Sequence, residues 1–222
     1  MDGKVLEVKN LSVGYKVNKV NFAKGKREEI LSDVSFQIRE GEMVGLLGAS
    51  GSGKTTLCKC ILGLLKEYQG EIIHFTENPQ MIFQDPYSSL NPKKKIGWIL
   101  EEPLKIRGIK KEERKERLRA VLEKVRLPLQ IADRYPKELS GGQRQRVSLS
   151  LALMTGAKFI LADEPLSALD VTVQAQMIDL LQELQEKEKL SYLFVSHDLD
   201  VVGMLCKRVL VIREGALKEY EI

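Results

Sequence analysis

The sequence contains no run of 18 consecutive apolar residues, so nothing in it is long enough to cross a bilayer as a helix. A role in a membrane process would require docking on another chain. Cysteine is scarce: Cys58, Cys60 and Cys206 match no zinc-ligand spacing, and residues two apart do not face each other on a helix. Their odd number and the lack of a signal-peptide pattern point to buried, reduced thiols and a reducing cytosol. Only two histidines are present, His74 and His197. There is no internal repeat and no low-complexity tract. The charge excess is small, at +4, and is better read as a solvated surface than as a nucleic-acid or lipid face.

What is present is ordinary for a folded domain: 222 residues, 43% hydrophobic and 30% charged. Residues 4–8 read as an edge strand and 30–38 as a second strand, with a polar, basic connection from Lys16 to Glu29 between them. Met43 to Leu47 is a short apolar run, as expected of a buried central strand. A helix is expected over 54–65 and strands over 68–75 and 80–83. From about residue 93 to 156 the pattern turns helical. Over 111–126, Leu118, Val121, Leu122 and Val125 form one stripe, and charges of mixed sign cover the remaining faces. A second helix is expected over 142–155. Strands at 159–162, 191–195 and 208–212, and a helix over 173–187, complete an α/β order.

The strongest chemical signal is Gly48-Ala49-Ser50-Gly51-Ser52-Gly53-Lys54-Thr55, which fits G-x-x-x-x-G-K-[ST] without departure and lies between an apolar strand and a helix-forming run. Glycines allow the backbone to wrap phosphate closely, exposed N–H groups and the helix start form an anion nest, Lys54 supplies charge to the β- and γ-phosphates, and the Thr55 hydroxyl, with Thr56 beside it, suits Mg²⁺ and phosphate. Asp163 and Glu164 close a second apolar strand. Carboxylates there cost folding free energy unless they have partners. Asp163 is expected to hold a metal and Glu164 to act as the general base that polarises the attacking water. His197 follows the strand over 191–195 and is a candidate for the γ-phosphate, with a core or capping histidine as the alternative. His74 is expected to be a surface or structural residue.

At Leu139-Ser140-Gly141-Gly142-Gln143 the chain resembles the ATPase subunits of ATP-binding-cassette (ABC) transporters, over about residues 4–219. The resemblance implies an α/β P-loop NTPase core, with a small antiparallel β subdomain and an inserted helical subdomain. Core segments are expected at 1–85 and 155–222 and the helical subdomain at 86–154. It implies ATP and Mg²⁺ as ligands. Ser140, Gly141, Gly142 and Gln143 would cover ATP held by a partner's loop in a head-to-tail dimer. Gln84 would contact Mg²⁺ or water and relay the nucleotide state, Tyr15 would stack on adenine, Ser167-Ala168-Leu169-Asp170 would cross the dimer interface, and His197 would be the switch histidine.

The segments 83–92 (Phe-Gln-Asp-Pro-Tyr-Ser-Ser-Leu-Asn-Pro) and 133–138 (Asp-Arg-Tyr-Pro-Lys-Glu) look like those of dipeptide, oligopeptide and nickel or metal-chelate importers. That likeness implies a second ATPase subunit (a paralogue or an identical chain), two permeases and an extracytoplasmic solute-binding protein, with no nucleic acid. The place of work would be the cytoplasmic face of the membrane. Two features depart from the family pattern. Only 30 positions separate Lys54 from Gln84, implying a trimmed antiparallel subdomain. The sequence also stops at Ile222, where oligopeptide-type members often continue, which tilts slightly toward the nickel or metal-chelate type. A soluble ABC-type ATPase of DNA repair or translation, and a non-hydrolysing regulatory protein, are the competing classes.

Overall fold

The computed structural model describes residues 3–16 and 27–222. Nine strands and seven helices follow in order among these: β1 (Lys4–Lys16), β2 (Arg27–Arg39), β3 (Met43–Gly48), α1 (Lys54–Ile61), β4 (Gln69–His74), β5 (Gln80–Ile82), α2 (Pro86–Ser89), α3 (Ile96–Ile106), α4 (Lys111–Lys124), α5 (Gly141–Met154), β6 (Phe159–Asp163), α6 (Val171–Glu188), β7 (Ser191–Val195), α7 (Leu199–Leu205), β8 (Arg208–Arg213) and β9 (Ala216–Glu221). Two 3₁₀ turns, Leu129–Asp133 and Pro136–Glu138, link α4 to α5. Segment 86–154 holds only helices and turns among the described residues.

Two sheets form. One has the order β2-β1-β4 and is antiparallel; the other has the order β5-β6-β7-β3-β8-β9. In the second sheet every pairing is parallel except β8 with β9. Its central strands are apolar on both faces because both faces are covered. In β7, Tyr192 and Phe194 join one core and Leu193 and Val195 the other; in β6, Ile160 and Ala162 join the first, Phe159 and Leu161 the second. This is the two-residue alternation of a strand, read into two separate cores. The first core also takes Ile96, Leu100, Leu122, Val147 and Leu180 from the helices. The second takes Leu6, Leu11, Leu31 and Ile38 from the antiparallel sheet and Leu57 and Ile61 from α1.

Three sequence expectations are corrected. Residues 4–8 belong to a 13-residue strand that is central in its sheet, paired with both β2 and β4. The helix after the phosphate loop stops at Ile61 rather than near 65, and a turn of backbone bonds from Leu62–Leu65 to Cys58, Lys59 and Cys60 closes it. Both ends of the Lys16–Glu29 connection are strand; residues 17–26 lie outside the described residues.

All three cysteines are buried and free. Burial pushes the Cys60 thiol up to about 11 and the Cys206 thiol up to about 12. His74 is half-buried, with Nε2 2.8 Å from the Ile61 carbonyl at the end of α1 and its ring tilted against Phe159. Among the described residues no helix is long and apolar enough to cross a membrane.

Candidate nucleotide site

Because β5, β6, β7, β3 and β8 run parallel, their carboxyl ends share one rim of the sheet. Ligands of open α/β sheets bind at that rim. The motif residues all sit there: 48–55 after β3, Gln84 after β5, Asp163 and Glu164 at the end of β6, His197 after β7. Register fixes their spacing. Val195 pairs with Leu46 on one side and with Asp163 on the other. The base of the phosphate loop and the first carboxylate are therefore two strand spacings apart, about 10 Å.

The loop is built for close approach. A Cβ on Gly48 would lie 2.5 Å from Ser52 Oγ and 2.8 Å from the Ile212 carbonyl. Gly53 caps α1 at φ 107, in the left-handed region, and a Cβ there would meet Leu31 Cδ2 at 2.8 Å. Lys54 Nζ donates to the Gly48 and Ala49 carbonyls, at 2.7 and 3.0 Å. Ser52 Oγ is buried and has no hydrogen-bond partner among the described residues. A buried orphan hydroxyl beside a lysine held only by its own loop fits an anionic ligand. Ser50, Gly51 and Thr55 are exposed on the same turn and Thr56 is half-buried behind them.

Asp163 is half-buried. Burial pushes its carboxyl up, the Glu164 charge adds to this, and Lys54 opposes both. A pair of neighbouring carboxylates in this state fits a divalent cation. No group of three or more His, Cys, Asp or Glu that could hold a metal occurs among the described residues. A magnesium ion here would also use phosphate and water oxygens, its usual ligands.

The structure brings three of the expected residues into contact. Gln84 Nε2 donates to Glu164 Oε2 at 3.0 Å, and His197 Nδ1 is 3.1 Å from Glu164 Oε1. Glu164 itself has φ 46, in the left-handed region that a side chain disfavours. Its N–H donates to the Val195 carbonyl at 2.9 Å. Its own carbonyl accepts from Ser167 Oγ at 3.0 Å and Ser167 N at 3.3 Å. Successive side chains of an extended strand point to opposite faces. The left-handed turn re-aims Glu164, and its charge still acts on Asp163.

Residues 140–143 open α5. Ser140 Oγ accepts from Gln143 N at 3.3 Å and Gln143 Oε1 accepts from Ser140 N at 3.1 Å, a reciprocal capping box. A Cβ on Gly142 would lie 2.4 Å from Val173 Cγ1, so this glycine is required where α5 crosses α6; Gly141 has room for one. No hydrogen bond joins 140–143 to the phosphate loop among the described residues. A cavity of about 400 Å³ lined by Gln84, Tyr87, Gly141, Arg144, Gln145 and Leu169 lies between α5 and the rim. Arg144 stacks over the Tyr87 ring at 5.4 Å. Tyr15 closes β1 opposite Glu28, and its side chain lies outside what is described. Sequence reasoning placed Ser167 in a loop at the dimer interface and missed its contact with Glu164. The available signal was its position three residues on, across Pro165, where a hydroxyl can reach back to a turn carbonyl.

Residues 31–167 match the family described as ABC transporter. A Brucella ovis protein named for peptide import ATP binding is 47% identical over 207 residues, 86% of this chain. The oligopeptide transport ATP-binding protein of Haemophilus influenzae is 42% identical over 97% of this chain and 71% of its own length. This chain spans 65% of the length of the Brucella relative. Among solved structures, a dimeric ATP-binding cassette in a post-hydrolysis state, bound to ADP and Pi, superposes with a TM-score of 0.79 at 28% identity. That alignment covers 97% of this chain and 98% of the other.

Proposed function

Since this chain belongs to the ABC transporter family, we propose that it binds ATP at residues 48–56 and hydrolyses it to drive import of a peptide through a membrane permease. The observation that carries this reading is the convergence at one rim: a phosphate loop with Lys54, the Asp163 carboxylate within reach of its charge, and Glu164 in contact with both Gln84 and His197.

In this reading Lys54 leaves the Gly48 and Ala49 carbonyls for phosphate oxygens, and loop N–H groups with the Ser52 hydroxyl complete the cradle. Thr55, Asp163 and Gln84 would hold Mg²⁺, which when bound neutralises charge on the phosphate oxygens. Glu164 takes the proton of the attacking water as general base, and His197, beside Glu164 Oε1, orients it. Gln84 grips Glu164 through its amide nitrogen, which leaves its amide oxygen for the metal, so one side chain would link the two.

The start of α5, at Ser140 and Gly141, would close over ATP held by a second copy or a paralogue, two cassettes pairing head to tail. The cassette that superposes on this chain is dimeric, which supports pairing of two copies. Peptide is favoured over nickel or a metal chelate by the names of the relatives, which concern peptide and oligopeptide transport. The system would include two permeases and a solute-binding protein, with this chain on the cytoplasmic face.

The test is phosphate release with Mg²⁺ and ATP, run beside nucleotide binding, on wild type and Glu164→Gln in complex with the partner ATPase and permeases. Turnover should fall at least about a hundredfold with ATP affinity retained. Equal turnover in the two proteins removes Glu164 from its role, and a wild type that binds no ATP removes the whole reading.

A further inference from the structure

Glu164 is a non-glycine residue held at φ 46. Left-handed backbone is disfavoured for such residues and persists only where surrounding contacts impose it. The imposing contacts are few. On the N-terminal side Glu164 N–H is tied to the Val195 carbonyl of β7. On the C-terminal side the Glu164 carbonyl is tied twice, and both donors belong to Ser167: the hydroxyl at 3.0 Å and the amide at 3.3 Å. The same hydroxyl lies 3.5 Å from Gln84 Nε2, which donates to Glu164 Oε2. One oxygen atom therefore touches the backbone of the expected base and the residue that grips its side chain. A serine hydroxyl has the donor and acceptor capacity for both at once.

We infer that Ser167 is a positioning residue for hydrolysis: its hydroxyl holds the Glu164 backbone in the left-handed turn that aims the carboxylate at the water, and it steadies Gln84 beside it. The inference rests on the ATPase reading above. It also gives segment 167–170 a role inside its own chain. Movement of that segment reaches the base through the two hydrogen bonds from Ser167 to the Glu164 carbonyl.

Ser167 is exposed, so its truncation leaves no cavity and should not unfold the chain. The experiment compares wild type, Ser167→Ala and Ser167→Thr in the assembled ATPase. Ser167→Ala should lower kcat about tenfold or more, as expected for a misaimed base, with the KM for ATP and the nucleotide affinity unchanged. Ser167→Thr, which keeps the hydroxyl, should restore kcat to within about threefold. A readout independent of turnover is amide exchange without nucleotide. The Ser167 N–H, which shares the Glu164 carbonyl with the hydroxyl, should lose protection in Ser167→Ala and regain it in Ser167→Thr. A kcat in Ser167→Ala within twofold of wild type would overturn the inference, as would kcat and ATP affinity falling together, or a failure of threonine to rescue. A wild type without turnover would instead defeat the ATPase reading, while the exchange comparison would still report on the turn.

Discussion

Gln84 and Glu164 are in direct contact across 80 residues of sequence, Nε2 to Oε2 at 3.0 Å. They follow neighbouring strands, β5 and β6, which pair in parallel from Gln80 with Ile160 to Ile82 with Ala162. The chain leaving β5 leads directly into α2 and the helical segment, so a side chain at the entry to the helices holds an acid at the edge of the core. The contact joins the helical segment to the rim that carries the phosphate loop.

Lys54→Ala should abolish most nucleotide affinity, by at least about tenfold, because no other side chain of the loop carries positive charge. Ligand-free stability should fall only modestly, because Asp163 loses the charge that opposes its burial. The lysine's hydrogen bonds run only to carbonyls of its own loop. Fluorescence titration with a nucleotide analogue and a thermal melt would report the two quantities separately.

Gly142→Ala should destabilise the chain by packing alone. Its Cβ would stand 2.4 Å from Val173 Cγ1, and a branched side chain on α6 has little freedom to yield. Overpacking of this kind costs about 1–3 kcal/mol, and each kcal/mol lowers the melting temperature of a domain this size by about 2–4 °C. Adding Val173→Ala should recover most of the loss, giving a coupling energy in a double-mutant cycle. Additive losses would show that the glycine serves another purpose.

Much of the fold was legible in the sequence because local pattern determined it. The buried strands β3, β6 and β7 announce themselves as apolar runs, and the phosphate loop as a contiguous motif. The length of β1 did not, for an identifiable reason. Its buried positions run Val5, Leu6, Val8, then Leu11, Val13, and the phase changes at Asn10, which has φ 49 within an irregular stretch of pairing. A bulge that shifts the alternation makes one long strand look like a short one. Strand β9 was invisible because most of its residues are exposed; only its pairing with β8 across the Glu214-Gly215 turn defines it. Helix α3 was blurred by an internal proline, Pro103, though Ile96, Ile99, Leu100 and Leu104 form its buried stripe.

The candidate site was legible as residue types but not as contacts. Nothing local states that Gln84 meets Glu164, or that Ser167 reaches the Glu164 carbonyl; the parallel order of β5, β6 and β7 and a turn at φ 46 decide that.

Asp163→Asn should raise the stability of the nucleotide-free chain at neutral pH. The folded-state pKa of Asp163 is raised above its ordinary 3.8 by burial and by Glu164. Between those two values the folded chain binds more protons than the unfolded one, so stability falls as pH rises through the window and stays lowered above it. The variant removes that penalty. Its advantage in melting temperature should be present at pH 7 and shrink as pH falls toward 3.8. Parallel melts over a pH series without Mg²⁺ would check the sign, and hydrolysis should be lost in the same variant.

Arg208→Met should destabilise the chain without altering nucleotide affinity. The guanidinium grips Glu42 through two nitrogens at 2.8 and 3.0 Å, the Gln37 carbonyl at 2.6 Å and Glu219 at 2.9 Å, joining both sheets at the end of the molecule opposite the rim. Truncation leaves the half-buried Gln37 carbonyl and the Glu219 carboxylate without this donor and takes two of the bonds to Glu42, which keeps the Arg39 N–H at 2.8 Å, a loss of about 1–3 kcal/mol. Denaturant unfolding would measure it.

Strand β7 acts as a rigid spacer. With Val195 bonded between Leu46 and Asp163 and its carbonyl tied to the Glu164 amide, the gap separating cradle from acid is set by backbone ladders that a passing nucleotide has no leverage to stretch. In the proposed cycle, whatever shifts from one turnover to the next would then come from side chains exchanging grips about an unchanging frame.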